Sequence, residues 1–201
     1  MLNKQRFTYT IFIIGTACAL QFFSMSAHAE TAAESTLKNI MWDEATRIVK
    51  TFGGRLKPHL KKALQSGGPA NAIQICSIKA PKIAEDIRRE TGWNVKRVSL
   101  KPRNNETALP DIWEADVLRQ FEKRQLNGEQ VGNITYSEVI NEQYRYMKPL
   151  VVEPLCLNCH GKKLVPEVKQ ILKRYYPEDK ATGYSPGQIR GAFSLSKKLA
   201  Q

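Results

Sequence analysis

Cys156, Cys159 and His160 stand together in LCLNCHG, Leu155 to Gly161, and their types and spacing are suited to chemistry. Two thiols at this separation can form a redox disulfide or supply half of a zinc site, and with a histidine directly behind them they can anchor haem c. A structural zinc site takes four ligands. Beyond this cluster, the chain after residue 29 offers only Cys76 and His59 as soft or borderline donors, and no second Cys-X-X-Cys pair. A thioredoxin-like disulfide belongs at a helix start after a strand in a βαβ setting. Here the motif comes late, no such unit surrounds it, and His160 would be left without a role. Haem c attachment uses all three residues. The thiols add across the vinyl groups on one edge of the porphyrin, and the adjacent imidazole comes beneath the iron. The expected assignment is Cys156 and Cys159 as thioether anchors and His160 as an axial ligand, with one motif giving one covalent haem c.

The compartment agrees with that chemistry. Lys4 and Arg6 give a short basic start, Tyr9 to Phe23 is almost wholly apolar, and Ala27-His28-Ala29 carries small residues where a signal peptidase needs them. Residues 1–29 therefore read as a secretory signal cleaved after Ala29, and the expected location is periplasmic. The apolar run is shorter than the roughly 20 residues a spanning helix needs, so no stable membrane span is expected after cleavage. Gly15 stands where a lipobox wants a leucine-like residue, and Cys18 reads as a small apolar residue of the signal.

Removing 29 of the 201 residues leaves 172, read as a single domain over 30–201 with a real core. The full chain carries a formal charge of +12, and losing Lys4 and Arg6 lowers it to +10. With no nucleic-acid motif present, that charge serves solubility first and docking on an acidic partner or an anionic surface second. Three cysteines remain, Cys76, Cys156 and Cys159, and an odd count outside the cytoplasm argues against simple disulfide pairing. The second axial position stays open among Cys76, His59, Met41, Met147, a lysine or no protein ligand. His59 reads as a surface or helix-end residue, and Met41 and Met147 fit apolar faces. Cys76, between Ile75 and Ile78, reads on composition as a small buried hydrophobe.

Around these residues the pattern alternates between helix and strand periods. Apolar residues at Leu37, Ile40, Met41, Ala45, Ile48, Val49, Phe52, Leu56, Leu60 and Leu64 predict a long helix with one buried face, weakened at Gly53-Gly54 and Pro58 and ended by Gly67-Gly68. A second helical stretch runs from about Pro69 past Cys76, and Pro81 suits a fresh first turn, with Gly92 as a stop. Trp93, Val95 and Val98 predict a strand, and Pro102 to Pro110 a polar loop. Asp111 and Glu114 form a capping box for a helix to about Arg124. Ile134 to Ile140 and Gln143 to Val152 predict paired strands with Tyr144 and Tyr146 on one side and Met147 on the other. A helix from about Val165 to Tyr176 and a last strand over Gly191 to Ser196 complete an α+β domain on a mainly antiparallel sheet.

Several blocks in this order resemble a known family, the PAS-like haem c domain long carried as a domain of unknown function. They are AIQICSIKAPKIA around Cys76, WNVKRVSLKPRN at Trp93 to Asn104, the Trp113-Glu114 helix, PLCLNCHG, and YPEDKATGYSPGQIRGAFSL. The resemblance covers roughly Leu37 to Leu195. It implies a PAS-like antiparallel sheet flanked by helices, one haem c, and axial ligation by a histidine and a cysteine, which by position are His160 and Cys76. The family occurs as standalone periplasmic or cyanobacterial cytochromes and as sensing parts of membrane signalling proteins. One departure is the loop NNETALPDIWE after Arg103, which lacks the proline expected near its start.

The expected function is that of a monohaem c-type cytochrome, in electron transfer or redox sensing, with a redox partner protein or a signalling protein to read the change. Lys162-Lys163 beside the motif could help form a docking surface. The alternative is a sensing module in which reduced haem captures nitric oxide or carbon monoxide. A peroxidase needs an open distal site with acid or base groups. No distal histidine arrangement is visible, so no enzyme is expected.

Overall fold

A computed structural model describes the backbone of residues 17–199 and the side chains of 34–199. The signal-peptide expectation for residues 1–29 lies outside the described residues over 1–16, and over 17–29 only the helical course of the backbone is described. Among the described residues no helix is long and apolar enough to cross a membrane.

The chain divides into two units, Met1–Met41 and Trp42–Gln201, and helix α1, Ala17–Thr91, runs through both. In the first unit the apolar residues Leu37 and Ile40 are exposed and Met41 is buried, so the stripe predicted from Leu37 onward begins only at Met41. In the second unit Ala45, Ile48 and Phe52 are buried as their helical spacing requires. Gly53-Gly54 and Pro58, expected to weaken the helix, keep helical angles, and Pro81 lies inside it and does not open a fresh helix as expected; the one internal departure from helical angles falls at Gly67 and Gly68. Gly68 has φ 66°, a left-handed conformation that glycine adopts without steric cost. Asn71 satisfies the carbonyl left open before this break, its Nδ2 donating to Ala63 O at 3.1 Å. The arm beyond it, Pro69 to Thr91, carries Cys76 and ends at Gly92, whose N–H donates to Arg88 O at 2.8 Å.

Four antiparallel strands, β1 (Asn94–Val98), β2 (Tyr136–Ile140), β3 (Gln143–Val151) and β4 (Ile189–Lys198), form a sheet in the order β1-β4-β3-β2. Strands β2 and β3 are joined by a two-residue turn, Asn141 and Glu142, both with positive φ, the geometry that matches strand twist in a tight hairpin. Alternation along the strands separates two faces. On one, Phe193 meets Phe52 of α1 edge-on at 5.2 Å and the Tyr146 hydroxyl lies 3.1 Å from Thr46 Oγ1. On the other, Met147, Val98 and Ala192 pack with Val117, Leu118 and Phe121 of α3, Ile112–Leu126. Tyr144 and Tyr146 thus oppose Met147, as the strand pattern predicts.

Helix α3 begins at the expected capping box, with Glu114 N–H donating to Asp111 Oδ1 at 2.8 Å and Asp111 N–H to Glu114 Oε2 at 2.9 Å. The loop predicted over Pro102 to Pro110 contains a short helix, α2 (Asn105–Ala108), capped by the Asn104 side chain. Four residues are too few to leave an apolar period in sequence. The remaining α-helices are the single turn α4 (Leu157–His160) and α5 (Pro166–Tyr175). The result is the expected α+β architecture, an antiparallel sheet flanked by helices with a long N-terminal helix.

Candidate functional site

A cavity of about 730 Å³ opens in the second unit, within the ~300–1,000 Å³ typical of cofactor and ligand sites. Cys76 from the second arm of α1, and Cys156, Cys159 and His160 from the turn at α4, all line it. Residues separated by some eighty positions in sequence therefore share one chamber, and all three thiols are free of disulfides. Ile73 and Tyr176 contribute to its walls.

Local backbone bonds hold the motif in place. Pro154–Cys156 forms a 3₁₀ turn that runs straight into α4, with Cys156 N–H donating to Glu153 O at 2.9 Å. Gly161 closes α4 by donating to Leu157 O at 3.0 Å, and a Cβ placed there would stand 2.6 Å from that same oxygen, so no larger residue fits without movement. Past the turn, Gly161 pairs with Tyr184 as a parallel bridge. Tyr184 N–H donates to His160 O, and Gly183 N–H to Gly161 O, each at 3.0 Å. The histidine backbone is thereby tied to the loop before β4.

The imidazole is equally constrained. His160 Nδ1 lies 2.6 Å from Ala181 O. A carbonyl only accepts, so the proton sits on Nδ1 and Nε2 is unprotonated, its lone pair facing Arg103 Nη1 at 3.4 Å. Ala181 is in turn held by its own N–H, which donates to Asp179 Oδ1 at 2.8 Å. Burial, with Arg190 and Arg103 adding to it, lowers the histidine pKa from 6.5 to about 2, so the ring is neutral at any physiological pH. A neutral, oriented imidazole with an unprotonated Nε2 is the form that ligates a metal.

Three arginines surround these groups. Arg103 makes an ion pair with Asp179 at 3.1 Å and donates to Cys159 O and to Ala181 O; its Nη1 is 3.4 Å from His160 Nε2. Its Nε is buried without a partner. Arg97 lies over the Phe52 ring at 5.5 Å, and the Arg190 backbone carbonyl accepts from Ser99 Oγ at 2.6 Å. Burial lowers the pKa of both, and crowding by Arg97 and Arg103 helps bring Arg190 down to about 10. Burial pushes the Cys76 and Cys159 thiols up, opposed at Cys76 by all three arginines and at Cys159 by Arg103.

Of the other residues considered for the second axial position, His59 is exposed and Met147 is buried in the core on the α3 side; neither lines the cavity. Met41 is the last residue of the first unit. Among the described residues, no group of three His, Cys, Asp or Glu side chains is arranged to hold a metal ion on its own. Lys162 and Lys163 are exposed, and Lys162 borders a separate groove of about 300 Å³ together with Lys169 and Lys173 of α5. The arginines are the residues that reading the sequence for chemistry passes over. Their signal is alternation: Arg97 follows Val95 at a strand position facing α1, where an apolar side chain is the rule.

Comparison with known proteins agrees with this fold. The solved structure described as "Crystal structure of the cyanobacterial heme-protein Tll0287" superposes with a TM-score of 0.62 at 21% identity, over 80% of this chain and 96% of that one. No curated protein sequence matches. The family model Tll0287-like, described as Tll0287, matches residues 20–197, which is most of the chain. By that match the chain belongs to the Tll0287-like family.

Proposed function

We propose that this protein is a periplasmic monohaem c-type cytochrome acting in electron transfer or redox reporting. The observation that carries the reading is the meeting of Cys76 with Cys156, Cys159 and His160 on the wall of one cavity. The residues present suit the cofactor. The thiols of Cys156 and Cys159 are free of disulfides, the His160 ring is oriented through its Nδ1 bond to Ala181 O and turns an unprotonated Nε2 towards Arg103, and the chamber is large enough and partly apolar. Its likeness to a structure described as a heme-protein supports the same reading.

In this assignment Cys156 and Cys159 hold the cofactor by thioether bonds, His160 ligates from α4, and Cys76 ligates from the second arm of α1. The cofactor supplies a one-electron ferric/ferrous couple. The chain tunes that couple: an anionic sulfur from Cys76 favours the ferric form and lowers the potential. Arg97, Arg103 and Arg190 oppose this by favouring the more negative, reduced site. The exposed Lys162 beside the motif offers an acidic redox partner a point of attraction.

The test is a reduced-minus-oxidised pyridine haemochrome spectrum of protein expressed with its leader in a host that matures c-type cytochromes. The expected result is one covalently bound haem per chain, with the band positions of two saturated thioether side chains. Absence of covalent haem overturns the reading.

A further inference from the structure

We infer, on the haem reading above, that Arg97 and Arg190 are the receptors for the cofactor's two carboxylates, so that the chamber recognises a dianionic, diacid ligand. The argument starts from charge. Among the described residues, six cations line the cavity, and four have a carboxylate in salt-bridge contact: Arg88 with Glu85, Lys96 with Glu114, Arg145 with Asp111 and Arg103 with Asp179, which leaves Arg97 and Arg190. Two positive charges in the wall are left without a carboxylate partner. Arg97 has the Phe52 ring face, and the interactions of Arg190 are through its backbone carbonyl.

Enclosed cations are ordinarily paired, because removing a charge from water without a partner is costly. Here two stand open on the wall that also carries His160 and Cys76. Guanidinium forks match carboxylates in geometry, and such charge-assisted bonds are among the strongest available to a protein. The number also fits: a haem carries two propionates, and the uncompensated wall charge is two. Strand pairing fixes where the receptors stand. Arg97 lies on β1 opposite Phe193, and Arg190 lies on β4, one residue after Ile189 and next to Gly191. A Cβ at Gly191 would come 2.3 Å from Val98 O, so this position keeps the two strands at close approach beside both arginines.

The test uses the full chain produced without cofactor loading, titrated with ferric haem and with its dimethyl ester and followed by absorption. Wild type is expected to bind the diacid at least about tenfold more tightly than the diester. The R97Q/R190Q double variant is expected to lose that preference. Its thermal midpoint without ligand should rise, since two uncompensated charges leave the wall. Equal binding of acid and ester by wild type, or an undiminished preference in the variant, overturns this inference alone. A lower midpoint in the variant also overturns it, because the arginines would then be props of the fold. Failure of wild type to bind either form overturns the haem reading together with it.

Discussion

At the scale of single residues, the proposed haem reading turns on Cys76. Composition offers two roles for such a cysteine, a small hydrophobe or a ligand, and nothing local separates them. Its neighbour Ile78 is exposed, whereas Cys76 itself is half-buried and faces the cavity shared with His160. Burial raises its thiol pKa while the three arginines pull it down, and the anionic form that ligates ferric iron is the one those cations favour. In loaded protein, Cys76→Ala should therefore abolish the low-spin histidine–thiolate signature in absorption and electron paramagnetic resonance spectra and raise the reduction potential. An unchanged ferric spectrum would remove Cys76 from the iron.

At the scale of elements, the junction of α3 with the sheet rests on one buried carboxylate. Glu114 is fully buried; it accepts from Ser194 Oγ at 2.6 Å and from Asp111 N–H, and pairs with Lys96 at 2.8 Å. A single side chain thus completes the helix cap and joins α3 to β1 and β4. Glu114→Ala should destabilise the chain by about 2–3 kcal/mol, combining the loss of a cap with unsatisfied buried donors. Glu114→Gln, whose one carbonyl oxygen can still accept one of the two hydrogen bonds, should lose less. Urea unfolding of the two variants checks the order; equal midpoints for Glu114→Ala and wild type would show that the junction holds without this residue.

The capping box was legible in sequence because it is a local pattern, Asp111 to Glu114, as were the hairpin and the glycine break at Gly67-Gly68. The attachment of Glu114 to Ser194 was not, since it depends on strand register across eighty residues. The same distinction divides the candidate site. Cys156, Cys159 and His160 declare themselves by spacing. The bond from His160 to Ala181 and the arginine wall arise only when β1, the 176–184 loop and β4 come together. The fresh helix start expected at Pro81 is not seen for the converse reason, that the surrounding helix overrides a local breaker.

At the scale of the whole molecule, charge sets how partners arrive. A formal charge of +12, or +10 without Lys4 and Arg6, and the groove bordered by Lys162, Lys169 and Lys173 beside the motif predict electrostatic steering of an acidic partner. The bimolecular rate of electron exchange with an acidic redox protein should fall by about tenfold or more as ionic strength rises from 0.01 M to ~0.2 M, as screening shortens from roughly 30 Å to below 10 Å. Stopped-flow measurement across that range checks it. A rate indifferent to salt would leave the groove as a solvated surface.

The strand order β1-β4-β3-β2 places the last strand in sequence between strands from earlier in the chain. Neither β1 nor the β2–β3 hairpin can join the other until Ile189–Lys198 is available, because β4 pairs with both. The sheet is therefore complete only after β4, which follows the segment carrying Cys156 and Cys159, has been made. Until then the thiols of Cys156 and Cys159 belong to an open chain, and the chamber closes around them only when the final strand is laid in.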